Sequence, residues 1–370
     1  MKIAIEARSL TVQKTGIPRY VITLLTKIAE FDFENEYILF SDIPIKENLL
    51  KKFGPNWKNI PMGKRISKAR QMPKYVRFLK NGCAKELPDV FWAPTVIIPN
   101  LRRLKIRSIM TVHDIIPVEH PEIYRFTNKF YFKHYLLKGF KNSDEIVFVS
   151  ETVKESVNAL FSKKMKFKKQ FLVFNVVNID DEIGIYEDEG VLKNIDSEYL
   201  IFIGTKEKRK GILIISEVAK LIKNLPYKIV VVGKDGAGTN IFREQTKNSE
   251  NIIELPYVTD EEKKALLHNA SALLFPSLAE GFGIPLIEAT NLKKPVIASD
   301  IPVFMEILGG NYFNFRSGNA ESLANTIEEF SKTSPDEMKE LVEKAYAFCQ
   351  KYDVEKEAKK LHGIFTEKPK

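Results

Sequence analysis

The sequence has little cysteine and no long apolar run. The first shortage argues against a disulfide-linked or zinc-binding protein, and the second argues against a membrane-spanning one. Cys83 and Cys349 are the two cysteines among 370 residues, and neither belongs to a C-x-x-C pair. We therefore expect neither a disulfide framework nor a zinc site. No apolar run approaches the roughly 18 to 20 residues that a membrane-spanning helix needs. The start MKIAIEARSL lacks the long apolar centre of a signal peptide, so we expect a cytoplasmic protein.

Support for metal chemistry is also missing. The chain has no Asp-x-Asp motif, and its five histidines show no metal-ligand spacing. We expect no bound metal and no cofactor.

Short apolar runs alternate with longer segments of helical periodicity, the pattern of parallel sheets covered by helices on both faces. The runs are KIAIEA, EYILFS, VFWAP, RSIMTVHD, EIVFVS and FLVFNVV in the first half, and YLIFIG, KIVVVG, NIIELP, SALLFP and PVIAS in the second. Two such sets predict an α/β chain of two doubly wound, Rossmann-like domains. The acidic stretch NIDDEIGIYEDEG, residues 178–190, has no apolar periodicity, so we interpret it as the linker.

The segment FPSLAEGFGIPLIEAT, residues 275–290, carries the strongest functional signal. It follows a buried strand, turns at Gly281, Phe282 and Gly283, and continues as a helix. Glycines let a diphosphate approach the backbone, and the N–H groups and dipole of the helix start attract it. Glu280 lies before the turn, where it can face a sugar. Glu288 lies within the helix, where it can accept hydrogen bonds from ribose hydroxyls, as carboxylates do in dinucleotide folds.

This segment resembles the signature of the retaining GT-B glycosyltransferases of family 4, the glycosyl transferases group 1. Five more segments resemble the family in the same order along the chain: TGIPRYV, VHDIIPVEHPEIY, FIGTKEKRKG, LPYVTDEE and PVIASDIPVFMEILG. The resemblance implies two domains facing a central cleft. Residues 1–178 would bind the acceptor and residues 179–345 the nucleotide sugar, while a helix in residues 346–370 would return to the first domain.

The resemblance also implies roles for residues outside the glutamate segment. Lys210 matches the family lysine that neutralises the leaving diphosphate. Gly204 is followed by Thr205 where many relatives have arginine, so Arg209 would compensate. His113 matches a residue beside the transferred sugar, and Gly16 lies in the loop that touches the donor phosphates. A surface lysine or arginine and a structural histidine are the alternatives for these side chains.

The implied mechanism is front-face substitution by a retaining enzyme, with Glu280 orienting sugar hydroxyls. The implied donor is a nucleotide-diphosphate hexose, with GDP-mannose as the first choice, and the acceptor is a saccharide or a lipid-linked saccharide of surface polysaccharide synthesis. Two alternatives belong to other classes. One is a sugar-nucleotide epimerase of the same fold, and the other is a basic membrane-binding or nucleic-acid-binding module with a degenerate site.

Charge is distributed unevenly, since residues 1–170 hold 32 Lys and Arg against 16 Asp and Glu, whereas residues 171–370 hold 25 against 32. Residues 51–80 contain ten Lys and Arg, no acid, and the interleaved aromatics Phe53, Trp57, Tyr75 and Phe78. Such a segment is attracted to anionic surfaces. No RNA or DNA motif accompanies it, so we favour the inner membrane face over nucleic acid. A solvated basic face without a partner is the remaining alternative.

Overall fold

The structure is a computed structural model that describes residues 1–12, 16–123, 126–166, 168–176, 189–193, 195–256 and 258–367. The chain divides into two units, one formed by Met1–Asn178 with Tyr352–Lys370 and the other by Ile179–Lys351. Each unit has its own parallel sheet and its own core. Most of the predicted linker, residues 178–188, lies outside the described residues, and its last two residues begin a short helix.

Seven strands form the sheet of the first unit. They are β1 Lys2–Glu6, β2 Glu36–Ser41, β3 Trp57–Pro61, β4 Val90–Ala93, β5 Arg107–Val112, β6 Glu145–Phe148 and β7 Lys169–Leu172. They are parallel and stand in the order β3-β2-β1-β4-β5-β6-β7. The connecting helices are α1 Gly16–Ala29, α2 Glu47–Leu50, α3 Met72–Glu86, α4 Ile116–Glu119, α5 Phe126–Asn142 and α6 Glu151–Met165.

Six strands form the sheet of the second unit. They are β8 Tyr199–Ile203, β9 Lys228–Val232, β10 Ile252–Glu254, β11 Ala272–Phe275, β12 Val296–Ser299 and β13 Phe313–Phe315. They are parallel and stand in the order β10-β9-β8-β11-β12-β13. The helices are α7 Glu189–Leu192, α8 Ile212–Leu221, α9 Thr239–Thr246, α10 Asp260–Asn269, α11 Ile284–Asn291, α12 Pro302–Leu308, α13 Ala320–Lys332 and α14 Pro335–Cys349.

Helices cover both faces of each sheet, which explains why the central strands are apolar on both sides. In the first unit, α3 and α5 pack on one face through a cluster that contains Tyr75, Leu79, Leu136 and Phe140. In the second unit, alternate residues of β8 and β9 contribute to a cluster with α8 and α13. The predicted pair of doubly wound α/β units is confirmed.

The sequence prediction missed two strands, β3 and β13. The first of them changes how the basic segment 51–80 is interpreted. β3 lies within residues 51–80, where Lys58 and Asn59 interrupt the apolar pattern of an edge strand. The aromatic residues of this segment do not form a surface, because Phe53, Trp57 and Tyr75 are buried and Phe78 packs against the core. The charged residues exposed in this segment are therefore all cations, and none of its aromatic residues is among the exposed ones.

The chain end consists of two helices rather than one run from residue 346. Tyr346 and Phe348 belong to α14 in the second unit, and α15 Val354–Thr366 starts after Asp353, whose side chain accepts a hydrogen bond of 2.7 Å from the Lys356 N–H. α15 packs on α1 within the first unit. The buried Glu357 holds it there by accepting a hydrogen bond of 2.9 Å from the Phe174 N–H.

Candidate functional site

The strand order of the second sheet creates a crevice at the carboxyl ends of β8 and β11. Connections leave these neighbouring strands toward opposite sides of the sheet, and ligands of open α/β sheets bind at such a point. The loop after β8 contains a 3-10 turn, Lys208–Lys210, and the loop after β11 contains Ser277 and Glu280. Two motifs that lie far apart in the sequence therefore meet at one edge of the sheet.

Gly211 allows the loops after β8 and β11 to approach each other closely. Its φ of +77° lies in the left-handed region, and a Cβ atom on it would lie 2.0 Å from the carbonyl oxygen of Pro276. Within the 3-10 turn, the Arg209 carbonyl accepts a hydrogen bond of 2.8 Å from the Leu278 N–H. The two loops are thus joined backbone to backbone, which fixes the side chains between them.

Glu280 is the centre of the group, with only 8% of its side chain exposed. It accepts hydrogen bonds from Lys210 Nζ, from Arg209 Nη1 at 3.1 Å and from Ser277 Oγ at 2.8 Å. Burial by itself would raise the pKa of Glu280, but the charges of Lys210 and Arg209 outweigh it and the net shift is downward. Glu280 is therefore an ionised, rigidly oriented carboxylate at neutral pH.

Lys210 and Arg209 thus bind the Glu280 carboxylate and also lie beside the crevice. The Lys210 ammonium has three N–H donors, of which Glu280 takes one. Arg209 also donates a hydrogen bond of 2.9 Å to the Ala279 carbonyl. Sequence reasoning selected all three charged residues, but it did not foresee that the cations would bind Glu280 directly.

Glu288 does not join this group. It lies in α11, is buried, and accepts a hydrogen bond of 2.8 Å from Lys263 Nζ of α10. A buried carboxylate requires such a partner, since an unpaired charge in the interior is costly. Lys263 was missed by sequence reasoning, because the segment before it indicates a helix start and says nothing of a partner 25 residues away.

The turn between the two glutamates is held by packing. Gly283 has a φ of +131°, and a Cβ atom there would lie 3.0 Å from Leu286 Cδ1 and 3.2 Å from a ring carbon of Phe304. Phe282 is buried and contributes its ring to the core. Gly281, Phe282 and Gly283 therefore lead directly into the first turn of α11, with Pro285 near its start.

The loop after β9 begins at Gly233 and closely approaches the end of β8. Gly233 has a φ of +144°, and a Cβ atom on it would lie 1.9 Å from the carbonyl oxygen of Gly204. Gly204 itself has room for a side chain, because the nearest atom to its Cβ position is 3.5 Å away. Close approach of these two loops thus requires glycine at Gly233 but not at Gly204.

A pocket of about 480 Å³ lies beside these loops. Its lining residues come from the loops after β8 and β9, from α9, and from the end of β10 with the loop that follows: Lys206, Gly233, Lys234, Asp235, Arg243, Glu254, Leu255 and Pro256.

Four charged side chains form one network in this pocket. Lys206, whose side chain is 3% exposed, binds Asp235 at 3.1 Å and Glu254 at 2.6 Å. Arg243 binds the same two carboxylates at 2.9 Å and 2.6 Å. Sequence reasoning missed this network because its members come from separate segments.

His113 and Gly16 lie in the first unit. His113 follows β5, and its Nε2 donates a hydrogen bond of 3.0 Å to the Pro94 carbonyl, which leaves Nδ1 as an acceptor. Burial lowers the pKa of His113 to about 4, so its ring is neutral at pH 7. Gly16 begins α1, and no atom lies within 4 Å of its Cβ position.

Metal-binding clusters and membrane-spanning helices are both absent from the described ranges. These ranges contain no group of three or more His, Cys, Asp or Glu side chains placed to hold a metal ion. No helix in that part of the chain is long and apolar enough to cross a membrane.

Comparisons with known proteins agree on one family. The model for "Glycosyl transferases group 1" matches residues 187–348. The chain is 32% identical over 261 residues to the O-antigen chain mannosyltransferase RfbU of Salmonella typhimurium, covering 66% of this chain and 69% of RfbU. It is 28% identical over 252 residues to the serotype-specific mannosyltransferase WbdA of Escherichia coli, covering 63% of this chain but only 31% of WbdA.

A solved structure resembles the whole chain. The crystal structure of HepE from Anabaena, in complex with UDP and glucose, aligns with a TM-score of 0.77. It covers 99% of both chains at 17% identity, which is evidence of a shared fold.

We predict that Gly211→Ala destabilises the second unit whereas Gly204→Ala does not. The first substitution places a Cβ atom 2.0 Å from a carbonyl oxygen at a φ of +77°, and the second meets nothing closer than 3.5 Å. A left-handed alanine alone costs about 1–2 kcal/mol, and relieving the clash adds about 1–3 kcal/mol. The urea midpoint of each variant measures the effect, and equal midpoints would show that the two loops are not closely joined.

Proposed function

The chain belongs to the glycosyl transferases group 1 family, and from this premise we propose that it transfers a hexose from a nucleotide-diphosphate sugar to a saccharide or lipid-linked acceptor with retention of configuration. The chain is a glycosyltransferase with the GT-B fold expected from its sequence. The observation that carries the finer proposal is the ionised Glu280, which binds Lys210 and Arg209. This group lies at the carboxyl ends of β8 and β11, where the strand order of the second sheet reverses.

In this proposal the donor binds to the second unit. Its diphosphate lies at the start of α11, where backbone N–H groups and the helix dipole attract anions, and Lys210 and Arg209 add positive charge. The hexose hydroxyls bind Glu280. The ribose diol binds Glu288, whose orientation Lys263 maintains through the hydrogen bond between them.

We place the nucleotide base in the 480 Å³ pocket that contains Lys206. The pocket is made by loops at the carboxyl end of the same sheet, and its volume lies within the usual range for small-molecule sites. Lys206 connects the two subsites, because it lies in the same loop as Arg209 and Lys210. The charge network would keep the pocket walls in place.

The proposed mechanism is front-face substitution without a metal ion. The bond between the anomeric carbon and the diphosphate oxygen breaks, and its electron pair leaves with the diphosphate. The acceptor oxygen bonds to the anomeric carbon from the same face, and its proton passes to the departing diphosphate. Lys210 stabilises the charge that grows on the leaving group, since electrostatic stabilisation acts where charge develops. His113, neutral and with Nδ1 as an acceptor, would bind a hydroxyl of the transferred sugar.

We propose GDP-mannose as the donor and a growing surface polysaccharide as the acceptor. The names of RfbU and WbdA, both mannosyltransferases, support mannose, and the former name also supports an O-antigen chain. UDP-glucose is the competing donor because UDP and glucose are bound in HepE. Conversion of a nucleotide sugar to its epimer without any acceptor would instead indicate an epimerase.

A thermal-shift panel of nucleotide sugars tests the donor. A ligand that binds only the folded protein raises its stability, by about 2.7 kcal/mol at 100 times Kd. We expect GDP-mannose to raise the Tm more than UDP-glucose does.

We also expect Glu288→Gln to weaken donor binding about tenfold, because a hydrogen bond to a charged group contributes about 1.5–3 kcal/mol. An unchanged Kd in this variant would contradict the ribose assignment.

Lys210→Ala should lower turnover more than donor affinity. Removing one electrostatic contact to a developing charge typically lowers kcat by a factor of about 100 to 1,000. Lys208→Ala is the matched control, because Lys208 lies in the same 3-10 turn with an exposed side chain.

EDTA should leave the activity unchanged, because the proposed mechanism uses no metal ion. Loss of activity with EDTA and its recovery with Mg²⁺ would refute the metal-free mechanism.

We also propose that the protein binds peripherally to an anionic membrane surface. Four exposed cations of the 51–80 segment lie in and beside the loop before α3: Lys64, Arg65, Lys68 and Arg70. Each contributes about 1 kcal/mol near an anionic surface, and salt screens this attraction within about 10 Å at 0.1 M.

Phosphatidylglycerol vesicles test this proposal by sedimentation. We expect binding at low salt, release at high salt, and weaker binding when these four residues are changed to Glu. Lys220, Lys223 and Lys247 are exposed in the second unit, and changing them to Glu serves as the control. Binding that responded neither to salt nor to the four changes would favour a solvated face without a partner.

A further inference from the structure

The outward face of α5 lies outside the basic segment 51–80. The helix turns Tyr135, Leu136 and Phe140 into the core. Its rotation is fixed by Gly139, where a Cβ atom would lie 2.4 Å from Met110 Sδ and 3.0 Å from the Val96 carbonyl oxygen. The residues turned outward follow helical spacing: Phe130, Lys133, His134, Lys138 and Lys141.

This face carries positive charge that no acid offsets. Residues 123–143 contain five Lys and Arg, one His and no Asp or Glu. Within the described ranges, Lys133, Lys138 and Lys141 have exposed side chains without an ion pair. Arg102 adds a further cation at the end of the helix, where it donates a hydrogen bond of 2.7 Å to the Lys141 carbonyl.

Phe130 adds an apolar element to the cationic face, since 67% of it is exposed. A ring among lysines suits the boundary of an anionic bilayer, where the ring enters the acyl region and the ammonium groups stay at the headgroups. The loop before α3 cannot do this, because the aromatic residues near it are buried.

α3 extends the same surface. Its buried residues belong to the same core cluster as those of α5, so both helices cover one face of the sheet. Lys74, Arg77 and Lys80 are exposed on the opposite side of α3 from that cluster. The Tyr131 hydroxyl also donates a hydrogen bond of 3.3 Å to the Ala69 carbonyl, which joins α5 to the turn before α3.

We propose that the outward face of α5 docks on an anionic lipid surface, with Phe130 inserted into it and the lysines of α5 and the cations of α3 around it. This inference rests on the proposed membrane association and names the element that makes the contact. Charge complementarity selects an anionic surface, and a ring among lysines suits the bilayer boundary, whereas no nucleic-acid-binding motif accompanies this face.

Substitution of Phe130 separates insertion from simple charge attraction. Phe33 provides a matched control, because it is 69% exposed in the first unit but lies next to Asp32 and Glu34. We expect Phe130→Ser to lower partitioning onto phosphatidylglycerol vesicles about tenfold at both low and high salt, since loss of an apolar contact is not screened. Phe33→Ser should leave partitioning unchanged. An unchanged Tm in both variants shows that each remains folded.

Charge removal completes the test with the full-length chain. Lys133→Gln, Lys138→Gln and Lys141→Gln together should lower partitioning at least tenfold at low salt and little at high salt. The same change at Lys220, Lys223 and Lys247 should have no effect. Sensitivity to the four residues of the loop before α3 but not to Phe130 or the α5 lysines would overturn the α5 proposal while leaving membrane association intact.

Two further outcomes would refute docking on anionic lipid by α5. Equal binding to phosphatidylcholine vesicles would show that anionic charge is not recognised. Binding of a single-stranded oligonucleotide together with no binding to vesicles would assign the face to nucleic acid instead.

Discussion

A buried carboxylate needs cations, and this requirement connects the parts of the second unit that matter most. Glu280 is ionised although it is buried, because Lys210 and Arg209 reach it from the neighbouring strand loop. Removing one partner from a buried charge pair commonly costs about 3–5 kcal/mol. The same contacts that stabilise the folded chain therefore also set the direction in which the carboxylate and the ammonium group face a ligand.

Glycine makes these contacts possible at two points of the same sheet edge. Gly211 allows the loop after β8 to approach Pro276, and Gly233 allows the loop after β9 to approach Gly204. Both have a positive φ, and in both a Cβ atom would overlap a carbonyl oxygen. The site is thus built on backbone contacts between loops at the ends of rigid strands, an arrangement that positions side chains more accurately than a free loop does.

The two units present different chemistry. The second unit gathers paired charges around a crevice and a pocket, where each described carboxylate of the site is bound to a cation. The first unit carries cations without acids on the outward sides of α3 and α5. Pairing suits a site that orients a small ligand, whereas unpaired surface cations suit an extended anionic partner. This contrast parallels the uneven charge of the two halves of the chain.

The sequence by itself determined the α/β class, most of the strands and the glycine turn between Glu280 and Glu288, because apolar periodicity and glycine turns are local patterns. Resemblance to the family, rather than a local pattern, pointed to Lys210 and Arg209. It missed β3 and β13, since one edge strand contains polar residues and the other has three residues. Only the tertiary structure decided that Lys263 binds Glu288, that Lys206 is buried in a charge network, and that Phe130 is exposed while Trp57 is not. These facts depend on which segments become neighbours in the sheet and which way each helix is turned, and no local pattern specifies either.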